Sequence, residues 1–391
     1  MQAGSTRRRF SRVLLPALLA PLLLRAPALA AQDEAGESRS PWRTSYFPYL
    51  SGKANDGPVI SARIRYWQPA EYEAPTTYTG ALDGAAGVSF NGTRYALVRF
   101  RAPGLWKDWR LDASLVAERL ARFGYFGLGN DTEHDRDLVG DDTPFLFRVR
   151  RIRYEGRAEV TRRIRGPFQV ALRTDIGQVR FTTLPGPSVF IDDFGEGLEQ
   201  DDVSGRLALI YDTRDNEFNT FRGVLAEAGG QVGSGGDGYT RLYGVVRGYY
   251  PVREGTVVAA RIVGSGMGGT PPLNARFDLP TWNDQVPVLG GEYSHRSFDT
   301  GRFAGTGVLF GNFEVRHDLL PFGDLGALTL LAFLDAGRVF EEESFRLTFD
   351  DLHVGGGGGI GLRILRSTIF VFNFAGGPDG FNFSVGNGWM F

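Results

Sequence analysis

Residues 381–391 read FNFSVGNGWMF, and the alternation in this stretch decides the fold. Phe381, Phe383, Val385, Trp389 and Phe391 fall on one face, and Asn382, Ser384, Gly386 and Gly388 on the other. A period of two with aromatics on one side is the pattern of a strand whose outer face meets lipid. A soluble domain rarely ends on such a strand, because terminal residues are usually polar and frayed.

Ser384, Gly386, Trp389 and Phe391 spell polar, any, Gly, any, any, aromatic, any, aromatic. This resembles the C-terminal signal by which the barrel assembly machinery recognises Gram-negative outer-membrane β-barrels. At the other end, Arg7, Arg8, Arg9 and Arg12 precede an apolar run from Val13 to Leu24, and Ala28-Leu29-Ala30 offers a small-residue cleavage site. Residues 1–30 are therefore expected to be a secretory signal peptide, 31–43 a periplasmic linker and 44–391 a transmembrane β-barrel. The twin-arginine route, which Arg7 and Arg8 also suggest, carries folded cargo and does not suit a barrel.

Composition narrows the function. Loss of residues 1–30 removes five arginines and no acid, so the net charge of −2 becomes −7, which disfavours a nucleic-acid partner. With no Cys and four scattered His, thiolate chemistry and metal-ligand spacing are missing, and neither a metal nor a cofactor is expected. After Leu24 no apolar stretch reaches the roughly 18 residues of a membrane helix, so a spanning structure must be a closed barrel.

Alternating segments separated by Gly, Asp, Asn and Pro clusters number sixteen, from 44–51 to 381–391, the even number expected of a single-chain bacterial barrel. Ile60, Ala62, Ile64 and Tyr66 are expected to face lipid, as are Leu328, Leu330, Ala332 and Leu334. Arg63, Arg65, Arg148, Arg153, Arg206, Arg241, Arg247, Arg261 and Arg363 are expected in the lumen, where they would attract anions or pair with Asp175, Asp212 and Glu227. A phase change between Val149 and Ile152 predicts a β-bulge in the sixth strand. Long connections at 124–144, 182–202 and 269–304 follow odd-numbered strands, as extracellular loops do. The connection 68–78 and the Asn91-Gly92 turn break this rule and leave the register of the first four strands open. Two G-x-G-x-x-G matches, at 264–269 and 356–361, open no helix and are not dinucleotide loops. The acidic loops 124–144 and 182–202 read as solvated surface more readily than as divalent-cation sites.

LGGEYSHRSFDTGRF (Leu289–Phe303), GNFEVR (Gly311–Arg316), FLDAG (Phe333–Gly337) and YDTRDNEFNTFRG (Tyr211–Gly223) together resemble the Omp85 superfamily, the BamA/TamA and bacterial surface antigen D15 group. The resemblance implies that a long sixth loop folds into the lumen. Its tip, His295, Arg296, Ser297 and Phe298, would dock on Glu314 and Asp335, with Gly290, Gly291, Asn312, Arg316 and Gly337 in support. Alternation alone places Glu314 and Asp335 inward if Val315 and Leu334 face lipid. His295 and Ser297 depart from the branched apolar residue and the Gly of the family tip, which predicts a different turn there. Only 31–43 separates signal from barrel, which leaves no room for the family's POTRA modules.

The resemblance implies outer-membrane assembly or protein or lipid translocation with a separate periplasmic partner. A passive anion-favouring pore and a structural anchor or surface antigen are the alternatives, and nothing points to an enzyme. Expected partners are outer-membrane lipid and lipopolysaccharide, the assembly machinery during biogenesis, and that periplasmic protein. The glycines at 386 and 388 predict a weak seam between last and first strands.

Overall fold

The computed structural model describes residues 41–53, 57–282, 285–341, 345–365 and 368–391. The expected signal peptide, 1–30, and most of the expected linker, 31–43, lie outside them. Eighteen strands follow in order: β1 (Arg43–Lys53), β2 (Gly57–Pro69), β3 (Tyr78–Ser89), β4 (Arg94–Trp106), β5 (Trp109–Gly124), β6 (Arg148–Arg165), β7 (Phe168–Thr182), β8 (Gly197–Asp212), β9 (Gly223–Gly233), β10 (Tyr239–Arg253), β11 (Thr256–Gly269), β12 (Asp278–Pro280), β13 (Gln285–Pro287), β14 (Gly307–Pro321), β15 (Gly326–Phe340), β16 (His353–Ile364), β17 (Thr368–Gly377) and β18 (Gly380–Asn387). All but β12 and β13 form one sixteen-stranded antiparallel meander, the wall of the barrel, and each wall strand between β1 and β18 pairs with its neighbours in sequence. The two small strands pair with each other inside the connection between β11 and β14.

The side-chain period of two sorts the wall into two surfaces. On β2, Ile60, Ile64 and Tyr66 are exposed outside, while Ser61 is buried inside and Arg63 reaches Asp83 on β3. On β15, Leu330 and Leu334 are exposed while Asp335, Phe333 and Leu331 are buried. An apolar outer belt over a polar, filled interior is the surface that a spanning barrel presents to lipid. The first four strands lie where the sequence places them, and the doubt about their register is removed.

Three expectations are corrected. The bulge expected between Val149 and Ile152 lies instead in β5, where pairing shifts between Leu120 and Phe123; β6 alternates without interruption through the buried Val149 and Arg151, and its own register shift comes near its end, between Arg163 and Arg165. Residues 197–202 belong to β8 rather than to a loop. Glu199 pairs with Arg180, and Asp202 accepts from the Gly235 N–H and the Tyr239 hydroxyl.

The third concerns the tail. Phe381, Phe383 and Val385 face outward as read, but β18 stops at Asn387. Gly388, at φ +120°, turns the chain, and Trp389 and Phe391 swing into the lumen. There Trp389 Nε1 donates to Asn219 Oδ1 at 2.9 Å, and the Phe391 ring packs with Tyr249, Val257 and Ala259. A β-strand's alternation cannot survive a residue in the left-handed region, which only Gly enters without strain.

Candidate functional site

The 37 residues between β11 and β14 carry apolar side chains that would be stranded outside the barrel. Leu279, Val286, Val288, Leu289, Phe298 and Phe303 are all buried. Their partners are inward positions of the wall: Tyr243, Val245, Val263, Val308, Phe310 and Val339. Apolar groups facing a water-filled lumen would be unfavourable on either side, so the loop and this sector of the wall cover each other. This is the sixth of the connections at the long-loop end, and it lies in the lumen as expected.

Its tip is closed by a tight turn. The N–H of Gly291 donates to the Phe298 carbonyl at 3.0 Å and that of Phe298 to the His295 carbonyl at 3.2 Å. Gly290 and Gly291 sit at φ +113° and +93°, and a Cβ at Gly291 would run into Thr300. Both glycines are thus required by conformation and by space.

At the apex Arg296 is 1% exposed. Its Nε and Nη2 donate to Asp335 Oδ2 and Oδ1 at 2.9 and 2.7 Å, its own N–H donates to Asp335 at 3.0 Å, and Nη1 donates to Glu314 Oε1 at 2.5 Å. Glu314 is held from the other side by Arg316, whose Nε and Nη2 reach Oε2 at 2.8 and 2.6 Å. Asn312 completes the set, donating to Asp335 Oδ1 at 2.8 Å and to the Ser294 carbonyl at 2.7 Å. The bidentate fork on Asp335 fixes the guanidinium plane, which stacks over the Phe333 ring with Cζ 3.5 Å from its centroid. Burial alone would lower the Arg296 pKa, but the two carboxylates outweigh it and raise it. Gly337 lies beneath, where a Cβ would strike Phe310 and Leu289.

The two residues that depart from the family tip make contacts of their own. His295 Nε2 donates to the His353 carbonyl on β16 at 3.0 Å, and burial lowers its pKa, so the imidazole is neutral. Ser297 donates to the Gly376 carbonyl on β17 at 2.9 Å and nestles against Gly355 and Gly377. The tip therefore grips the last hairpin as well as β14 and β15.

Sequence reasoning passed over the rest of that grip. Asn382 on β18 donates to the Arg296 and Phe298 carbonyls at 2.9 and 3.1 Å. Asp379, at the turn between β17 and β18, accepts from Arg302 Nε at 2.7 Å and is paired with His134 at 3.2 Å. The inward phase of Asn382 was visible in the alternation, whereas the Asp379 partners, 77 and 245 residues away, carry no local signal. Trp282, also in loop six, is buried with its Nε1 on Thr161 and its N–H on Glu227.

Ser384 and Gly386 face the lumen on β18, while Trp389 and Phe391 have left the strand as described. The lumenal arginines mostly find acids: Arg63 and Arg65 with Asp83, Arg153 with Glu118, Arg206 with Glu159 and Glu227, and Arg363 with Asp318. Arg148, out of phase at the start of β6, reaches Asp299 of loop six instead. Among the described residues no three His, Asp or Glu side chains converge as a metal site.

No curated protein matches the sequence. Among solved structures the fold is similar to BamA from Haemophilus ducreyi lacking POTRA domains 1-3, at TM-score 0.55 and 11% identity over 90% of this chain and 71% of that one. CdiB from Escherichia coli matches at TM-score 0.55 and 12% identity, over 88% of this chain and 61% of that one. CdiB from Acinetobacter baumannii matches at TM-score 0.50 and 11% identity, over 88% and 59%. The chain thus spans between 59% and 71% of the length of these structures. A family model for the Omp85 superfamily domain matches residues 84–389, from β3 through loop six to the inturned tail, and the chain belongs to the Omp85 superfamily.

Proposed function

We propose that this protein is an integral outer-membrane barrel that acts in outer-membrane assembly or in translocation of a protein or lipid, with a separate periplasmic protein supplying recognition. The observation that carries the proposal is the Arg296 dock. A loop locked to Glu314 and Asp335 by buried ion pairs, and packed by its apolar residues over one sector of the lumen, is built to hold a barrel shut. A passive pore needs the opposite, a standing aqueous path lined by exposed groups. Family membership supports the same reading, as does likeness of fold to BamA and CdiB.

The test joins two measurements. Crosslinking and copurification from native membranes are expected to recover a periplasmic partner. Planar-bilayer recordings are expected to show little conductance until Arg296→Ala releases the loop. A stable anion-selective conductance that Arg296→Ala leaves unchanged, with no partner recovered, would overturn the proposal in favour of a pore.

A further inference from the structure

Arg247 on β10 and Arg261 on β11 stand directly opposite each other on the lumenal face. Like charges in that position repel. Most arginines inside the barrel are ion-paired, whereas among the described residues neither of these has a carboxylate within ion-pair distance. Arg261 spends its Nε and Nη2 on neutral oxygens, those of Asn312 and the Tyr293 carbonyl. The neighbouring acids are already engaged, Glu314 by Arg296 and Arg316 and Asp335 by Arg296. Four arginines thus face two side-chain carboxylates in this patch, with a further acceptor in the Phe391 main-chain oxygen, which takes a hydrogen bond from Arg316 Nη2 at 3.0 Å.

The same patch holds three buried donors without a hydrogen-bond partner: Arg247 Nε, Arg316 Nη1 and the Tyr249 hydroxyl. Tyr249 and Arg316 are 5% and 3% exposed, so bulk water does not reach them freely. They are one neighbourhood. The Arg316 guanidinium lies 5.9 Å from the Tyr249 ring, and Arg316 and Arg261 both stack on the Phe391 ring, at 5.5 and 4.9 Å. Arg247 is only partly buried and opens the patch to the lumen.

We propose that Arg247, Arg261, Arg316 and Tyr249 form a lumenal binding site for a phosphate-class oxyanion, toward the end of the barrel where the short turns lie. A tetrahedral oxyanion offers several acceptors to donors that converge from three strands, and it removes the repulsion between Arg247 and Arg261. Free phosphate and the phosphate of a lipid headgroup share this chemistry.

The test is calorimetric titration of the detergent-solubilised full-length barrel with inorganic phosphate and, separately, with dihexanoyl phosphatidic acid, at ionic strength fixed by chloride. At least one is expected to bind, with affinity reduced at least tenfold by Arg247→Gln and retained by Arg247→Lys. The heat-modifiable gel mobility of each variant checks that it is folded. Binding of phosphate assigns a free anion, and binding of the lipid alone assigns a headgroup. If neither binds, or if binding is untouched by Arg247→Gln in a folded barrel, the site does not exist.

Discussion

Arg296→Ala is the perturbation with the most predictable size. It strands one buried carboxylate rather than two, because Glu314 keeps both of its bonds from Arg316. Asp335 is left with the Asn312 amide and the main-chain N–H of residue 296. Removing one partner from a buried pair costs roughly 3–5 kcal/mol, and the surviving donors place this case near about 3 kcal/mol. The cost falls on loop docking, so hydrogen exchange at the Gly291 and Phe298 amides, which close the tip, is the assay. At a factor of ten for each ~1.4 kcal/mol, protection there should fall on the order of a hundredfold while amides of β5 to β8 are unchanged. Arg296→Lys should recover part of it, since an ammonium keeps the charge but cannot fork across Asp335. In a cycle with Asp335→Ala the two effects should fall short of additivity by at least about 1 kcal/mol. A loss of protection below tenfold, or additive effects, would refute a loop held by this arginine.

Gly355→Ala places a methyl group against Ser297 and should push the tip off β17, costing about 1–3 kcal/mol of docking by the same exchange measurement. Burial raises the Asp379 pKa, but the His134 hydrogen bond and the Arg302 charge outweigh it and hold the carboxyl below its ordinary value. Its tether is therefore present above the usual carboxylate range and lost as pH falls through that lowered value; Asp379→Asn should abolish this acid-induced loosening of the 378–379 turn, read by exchange between pH 7 and pH 3. In a variant keeping Trp389 as its one tryptophan, brominated acyl chains should quench poorly, and strong quenching would return Trp389 to the lipid face.

The wall was legible because its signal is local. Each segment carries its own alternation, and sixteen of them with Gly-rich breaks leave no other fold for so apolar a set of outer faces. The dock was legible for a different reason: the family resemblance names the HRSF tip and its two acidic partners, and the alternation, which puts Glu314 and Asp335 in inward phase, agrees with it. What escaped depends on pairing between distant segments. The apolar switch from Val149 to Ile152 reads as a slip, but β6 alternates straight through it because Val149 packs inside the barrel, and the extra residue sits in β5 at Leu120–Phe123. The tail escaped because Trp389 and Phe391 keep the period of two in sequence, while their partners Asn219, Tyr249 and Arg316 lie at least 75 residues away.

That inturned tail changes the argument about the seam. The expectation of weak pairing rested on Gly386 and Gly388, yet Gly388 is not in the strand at all. Length is the stronger reason. β18 has 8 residues against 10 in β17 and 11 in β1, so three rungs of β1 have no partner whatever the register. The last hairpin is instead fastened from within the lumen, by Ser297, Arg302 and the loop-six carbonyls that Asn382 holds. Seam stability should therefore follow loop-six docking rather than strand pairing. Cysteines placed on β1 and β18 should crosslink more slowly once Arg296→Ala frees the hairpin to drift. Equal rates in the two backgrounds, in barrels shown to be folded, would mean that the seam is held by its own strands and that loop six has no part in it.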